Sequence, residues 1–269
     1  MSAEARLAAL YVYPVKSCRG FAVEAWTVEE RGLAHDRRWM WVGPQGRALT
    51  QRELPKMALI SVALTEEALQ LAYPGREPLW VPLEPGQRAR WCIVRLWNEE
   101  LRLLDLGPEP ARWFASALGQ EARLVFQPRE SHRPLDARYG RPGEGVSLAD
   151  GYPILLLSEA SLEALNALLE RPVSVLRFRP NLVFAGVEPF AEDTWSWVRL
   201  GSVRLRLVKP CSRCLVPSID PESGCLEPEP LRTLASFRLR QGRIWLGQNA
   251  VPETTGPVWA GQRAELGLR

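Results

Sequence analysis

Apolar residues alternate with polar ones through short stretches of the first half of the chain: Leu7 to Tyr13, Val23 to Val28, Arg38 to Val42, Met57 to Leu64, Leu69 to Tyr73 and Leu101 to Leu106. That period puts successive side chains on opposite faces of a strand, and Gly or Pro punctuates nearly every interval. One helix is expected after Pro110, whose fixed φ suits a first helical position; Trp113, Phe114 and Ala117 share a face, and Gly119 closes it. From Gln127 to Ser147 the pattern gives way to Pro, Arg and Gly without apolar periodicity, which predicts a linker or mobile loop.

The second half opens with Tyr152 to Leu157, a buried strand, followed by a helix that places Leu162, Leu165 and Leu169 on one face with Ser158 or Ser161 as N-cap. Strands return at Leu182 to Ala185, Val203 to Val208, Arg243 to Leu246 and Val258 to Leu266. Strands outnumber helices and no βαβ alternation is visible. The expected fold is mixed α+β and β-rich: a β-rich unit over residues 1–126, a connection over 127–147, and a β-barrel-like domain with a few helices over 148–269.

Composition narrows the setting. A chain of 269 residues can form one large domain or two modest ones, each with its own core. A net charge of +3 without a Lys/Arg block gives no footprint for nucleic acid, so any anion handled is expected to be small. No apolar run approaches the length of a membrane span, and the start, Met1-Ser2-Ala3-Glu4-Ala5-Arg6, lacks the apolar core of a signal peptide. A cytoplasmic protein without membrane attachment is expected. Five cysteines, an odd number, argue for reduced thiols over a disulfide framework.

The chemistry concentrates in Val208-Lys209-Pro210-Cys211-Ser212-Arg213-Cys214. Structural zinc would need two further ligands, and Cys18, Cys92, Cys225, His35 and His132 are scattered without ligand spacing. A redox pair would want a βαβ setting. Two half-buried small hydrophobes in a turn, or a single thiolate on a soft transition metal, are the other readings; Lys209 and Arg213 stand close enough in sequence to stabilise a thiolate or a nearby anion. Lys16, Ser17 and the backbone of the turn ending at Gly20 can hold a phosphate. In Asp36-Arg37-Arg38 alternation lets only one arginine face inward, toward an anion or toward Asp36; Arg177-Phe178-Arg179-Pro180-Asn181 is a further basic turn at a strand start.

Taken in order, Tyr13-Pro14-Val15-Lys16-Ser17-Cys18, Asp36-Arg37, Ala149-Asp150-Gly151-Tyr152-Pro153, Phe178-Arg179-Pro180-Asn181, Glu192-Asp193-Trp195, Cys211-Ser212-Arg213-Cys214 and Gly247-Gln248-Asn249 give the chain a resemblance to the MOSC proteins, the molybdenum-cofactor sulfurase C-terminal family. The likeness is to the two-domain branch that includes the amidoxime reducing components and the YcbX proteins. It implies an N-terminal MOSC β-rich domain, a C-terminal MOSC β-barrel, and the molybdenum cofactor (Mo-molybdopterin) between them. By resemblance, Cys214 is the metal ligand, and Lys16, Ser17 and Arg37 grip the terminal phosphate. Arg179 and the Asp150-Gly151 turn hold the pterin side, Ser212 and Arg213 contact the cofactor, and Gln248 and Asn249 line the metal end. The amidoxime reductases carry Tyr where this chain has Asn249.

The implied activity is two-electron reduction of an N-hydroxylated small-molecule substrate by oxygen-atom transfer at the Cys-ligated molybdenum. The implied alternative is a cofactor or sulfur carrier using the same cysteine. Because no cysteine cluster of a ferredoxin module follows Glu265, an external electron donor is expected: a flavoprotein, an iron–sulfur protein or a cytochrome b5-like protein.

Overall fold

The computed structural model describes residues 4–87 and 89–269; Met1 to Ala3, part of the start read above for a signal peptide, lie outside them. Its largest sheet runs in the order Glu265–Leu268, Trp195–Leu200, Val203–Ser212, Arg243–Pro252, Ile154–Ser158, Leu182–Ala185, Arg6–Val12 and Phe21–Val23. The Arg6–Val12 strand thus sits among strands from the second half of the chain. Backbone bonds from Leu7 N to Gln262 O (2.8 Å), Gly261 N to Leu7 O (2.7 Å) and Ala264 N to Ala5 O (2.8 Å) bring that strand against the segment leading into the last one. These bonds tie a strand near one end of the sheet order to the approach to the strand at its other end.

Alternation builds its interior. Along Val203–Ser212 the inward residues Val203, Leu205 and Leu207 are buried, and with Leu7, Leu10, Phe184, Trp195 and Val258 they form the core. Register shifts between Leu207 and Lys209 and between Pro210 and Ser212 bend this strand near its end. Past the first shift, Lys209 and Cys211 are half-buried and leave the core pattern of the strand.

A second core gathers Trp39, Trp41, Met57, Ile60, Phe114 and Phe126 between a four-stranded sheet (Trp39–Val42, Arg123–Phe126, Glu99–Asp105, Arg90–Leu96) and a three-stranded one (Ser61–Leu64, Ala68–Ala72, Leu79–Pro82). Helix α1 (Pro108–Leu118) seals it, with Phe114 4.4 Å from the Trp41 ring centroid and Gly119 ending the helix at φ 70°.

Three expectations change. Met57 to Leu64 is not one strand: Pro55 starts a short 3-10 helix, Pro55–Leu59, and the strand begins at Ser61. Val258 to Leu266 breaks at Gly261, φ 84°, into Gly256–Trp259 and Glu265–Leu268. One βαβ unit does exist: Ile154–Ser158 pairs in parallel with Leu182–Ala185 through helix α2 (Glu159–Asn166), whose N-cap is the expected Ser158. Helix α3 (Leu231–Arg238) was not foreseen.

Residues 127–147 contain no helix or named strand, yet bury Gln127, Arg133, Leu135 and Val146. Among the described residues no helix is long and apolar enough to cross a membrane.

Candidate cofactor cleft

A cleft of about 1210 Å³ opens between residues of the two halves. Eight cations and three carboxylates line it, a local excess of positive charge larger than the +3 of the whole chain. Ser17, Arg37, Trp97 and Arg179 all have positive φ, at 66°, 49°, 57° and 55°; four of the seven such non-glycine residues among those described therefore line this one cleft. Backbone held in that region marks a site that the surrounding structure over-determines.

The floor is a buried polar hub. Asp36 accepts bonds from Tyr13 N (2.8 Å) and Asn181 Nδ2 (3.1 Å) on one oxygen and pairs with Arg37 through the other. Asn181 completes it, its oxygen accepting from Arg37 (3.1 Å) and Leu155 N (3.2 Å). Burial pushes the Asp36 carboxyl upward, with Arg37 opposing. Arg37 and Arg179 both lie against the Tyr13 ring, 4.3 and 4.4 Å from its centroid, and burial with Arg37 as neighbour pulls Arg179 down to about 10. Arg37 thus takes both roles left open by the sequence, pairing with Asp36 and lining the cleft, while Arg38 turns away to the Gln127 carbonyl.

Lys16 is buried, its ammonium donating to Leu148 O (2.9 Å) and to Asp150. Burial lowers it below the usual lysine range, with Asp150 opposing. Burial also disfavours the Asp150 charge, but Lys16 and Arg52 outweigh it and hold that carboxyl well below the usual carboxylate range. Arg52 donates to the other Asp150 oxygen (2.8 Å) and to the Cys214 sulfur (3.0 Å).

Both thiols of the CxxC are free, and each has its own guanidinium. Arg213 reaches the half-buried Cys211 at 3.1 Å, whereas Cys214 is exposed to the cleft beside Arg52. Lys209 lines the cleft but directs its ammonium over the Tyr139 ring at 5.0 Å rather than to a thiol. Asn249 lines the cleft and donates to the Lys209 and Pro210 carbonyls (3.3 Å each), bracing the bent strand that carries Cys211.

Of the residues singled out in the sequence, Lys16, Ser17, Arg37, Asp150, Gly151, Arg179, Ser212, Arg213, Cys214 and Asn249 all line this cleft. Gln248 does not, and its assignment to the metal end is corrected. It is fully buried, with its amide nitrogen 2.7 Å from Asp193. Neighbours on a strand face opposite sides, so when Asn249 faces the cleft Gln248 cannot. The sequence reading also missed Arg52, Trp97 and Arg133. Arg133, buried and paired with Glu99, ties the Ser147 and Ala149 carbonyls in place beneath Asp150. None of the three sits in a motif; only Trp97 carries a local signal, a tryptophan in a tight turn.

A family model described as the MOSC N-terminal beta barrel domain matches residues 4–121, and one described as the MOSC domain matches residues 143–265. Mitochondrial amidoxime-reducing component 1 of Mus musculus is 37% identical over 243 residues, covering 87% of this chain and 71% of that protein. Molybdenum cofactor sulfurase of Danio rerio is 32% identical over 277 residues, 93% of this chain but 32% of that protein. Among solved structures, the YUAD protein of Bacillus subtilis aligns over 99% of this chain and 97% of its own at a TM-score of 0.44 with 12% identity. With both domain models matched in order and relatives above 30% identity along most of its length, the chain belongs to the MOSC family.

Proposed function

We propose that this protein binds the molybdenum cofactor in the cleft and reduces N-hydroxylated small molecules with electrons from an external donor. The observation that carries the reading is the placement of Cys214, an exposed thiol held by Arg52 inside a strongly cationic cleft. The similarity to an amidoxime-reducing component supports the reaction class.

The donor set fits a phosphate-bearing group. Lys16 has three N–H donors and two partners, and Arg213 Nε is buried without any partner. Lys16, Ser17 and Arg37 would hold the phosphate, Arg179 with Asp150-Gly151 the pterin, Ser212 and Arg213 the region beside it, and the Cys214 sulfur the metal. When bound, the cofactor supplies the two-electron oxygen-atom transfer. The chain's own residues fix that thiol, neutralise the cofactor's charge, and orient the substrate in the cleft mouth. Asn249, already bonded to the Cys211 strand, keeps a neutral amide at that end.

The similarity to a molybdenum cofactor sulfurase supports a second reading, in which Cys214 carries sulfur or hands on the cofactor. Purified protein, supplied with a chemical reductant, should reduce an aryl amidoxime, and Cys214→Ser should abolish turnover. Undiminished turnover by Cys214→Ser refutes the enzyme reading; a labile persulfide on Cys214 without turnover favours the carrier.

A further inference from the structure

Trp97 and Asn98 form the two-residue turn between Arg90–Leu96 and Glu99–Asp105, where Leu96 pairs with Glu99. A two-residue hairpin with positive φ at its first position normally places glycine there. Here that position, at φ 57°, holds a tryptophan, and the asparagine better suited to left-handed backbone stands second. Local folding does not account for the indole, and burial does not either, since Trp97 is 43% exposed.

The ring lines the cleft. The Arg52 guanidinium lies 4.8 Å and the Lys16 ammonium 5.5 Å from its centroid, and Arg52 is also 3.0 Å from the Cys214 sulfur. One side chain therefore separates the exposed indole from the thiol proposed to hold the metal.

We propose that Trp97 is the wall that selects the substrate, stacking a flat, conjugated and uncharged molecule such as an aryl amidoxime. The inference rests on the reductase reading of the same cleft. Two cations already draw on the ring's π cloud, so a third cation against it is repelled while a neutral arene stacks freely. An amidoxime is uncharged at neutral pH and the amidine formed by its reduction is a cation, so the same wall holds reactant and sheds product.

Trp97→Gly suits the turn's backbone and is the variant expected to fold without strain. Equilibrium dialysis of wild-type and Trp97→Gly holoenzyme with benzamidoxime, acetamidoxime and benzamidine tests the wall directly, alongside the kcat/KM ratio of the two amidoximes. Wild type should bind benzamidoxime more tightly than either other probe, and the variant should lose roughly five- to tenfold of the aryl preference. An unchanged aryl-to-alkyl ratio in Trp97→Gly, or tighter wild-type binding of benzamidine than of benzamidoxime, overturns the proposal even if both amidoximes are reduced. Trp97-dependent binding of benzamidoxime without any turnover keeps the wall and overturns the reductase reading instead.

Discussion

Arg52 is bonded to Cys214 across 162 positions of sequence: one guanidinium nitrogen stands 3.0 Å from the sulfur, and the same nitrogen lies 2.8 Å from an Asp150 oxygen. Lys16 holds the other Asp150 oxygen, so a continuous chain of charge-assisted bonds runs from the Lys16 turn to the thiol. That chain alternates between the two halves of the sequence, and it fixes the position of the thiol.

Removing the link should loosen the thiol. Arg52→Ala loses a charge-assisted bond of about 1.5–3 kcal/mol, so molybdenum per chain after gel filtration should fall by roughly tenfold or more. Arg52→Lys, which keeps the charge on a single nitrogen but on a shorter and more strongly hydrated side chain, should retain part of it. Wild-type metal content in Arg52→Ala would remove Arg52 from the site.

The Lys16–Asp150 pair should be visible in stability against pH. The Asp150 carboxyl is depressed in the folded protein, so its contribution is present above the ordinary aspartate value near pH ~4 and is lost as pH falls through the depressed one. Lys16 is depressed as well, so its buried charge costs stability at neutral pH, and that cost is relieved as pH rises toward the ordinary lysine range. Asp150→Asn should make the acid-side slope shallower, Asp136, Asp220 and Glu229 being depressed as well, and steepen the alkaline one. Because Asp150 is 55% exposed, its loss should cost about 1–2 kcal/mol, less than a fully buried pair. Urea midpoints measured across pH check both slopes.

Glu192 tests the frame independently of the cleft. It is buried and takes bonds from both the Ser158 and Ser161 hydroxyls (2.9 Å each) at the start of α2. Burial raises its carboxyl, so stability falls as pH rises from the ordinary glutamate value through the raised one. Glu192→Gln should remove that slope while keeping both hydroxyls paired. Glu192→Ala should cost about 1–3 kcal/mol by stranding one of those donors, since the two hydroxyls stand 2.7 Å apart and only one can donate to the other.

Gln248 separates the two assignments made for neighbouring residues. Gln248→Leu leaves the Asp193 carboxylate short of one donor and should cost about 1–3 kcal/mol in thermal or urea unfolding. Molybdenum content should not change. A loss of metal without a loss of stability would return Gln248 to the cleft.

The same pair shows what a sequence can and cannot carry. The ordered motifs named the cysteine loop, the Lys16 turn, Arg37 and Arg179, because each is a local turn whose residues stay together when folded. Gln248-Asn249 came as a motif too, but strand alternation splits it, and which member faces the cleft depends on the pairing of Arg243–Pro252 with its neighbours. Arg52 and Arg133 were invisible, since their partners stand 162, 34 and 14 to 16 residues away and only the fold brings them together. The βαβ unit was hidden for a similar reason: α2 spans eight residues, and an irregular stretch separates it from the strand that completes the crossover. The Ser158 cap and the Gly119 stop were legible because each acts within a few residues of itself.

Molybdenum per chain, measured by elemental analysis on freshly purified wild type and Cys214→Ser, tests the central claim most directly. A Cys214-ligated cofactor predicts close to one metal per wild-type chain and a large loss in the folded variant. Wild-type metal retained in full by Cys214→Ser, with the same metal absorbance, would contradict it.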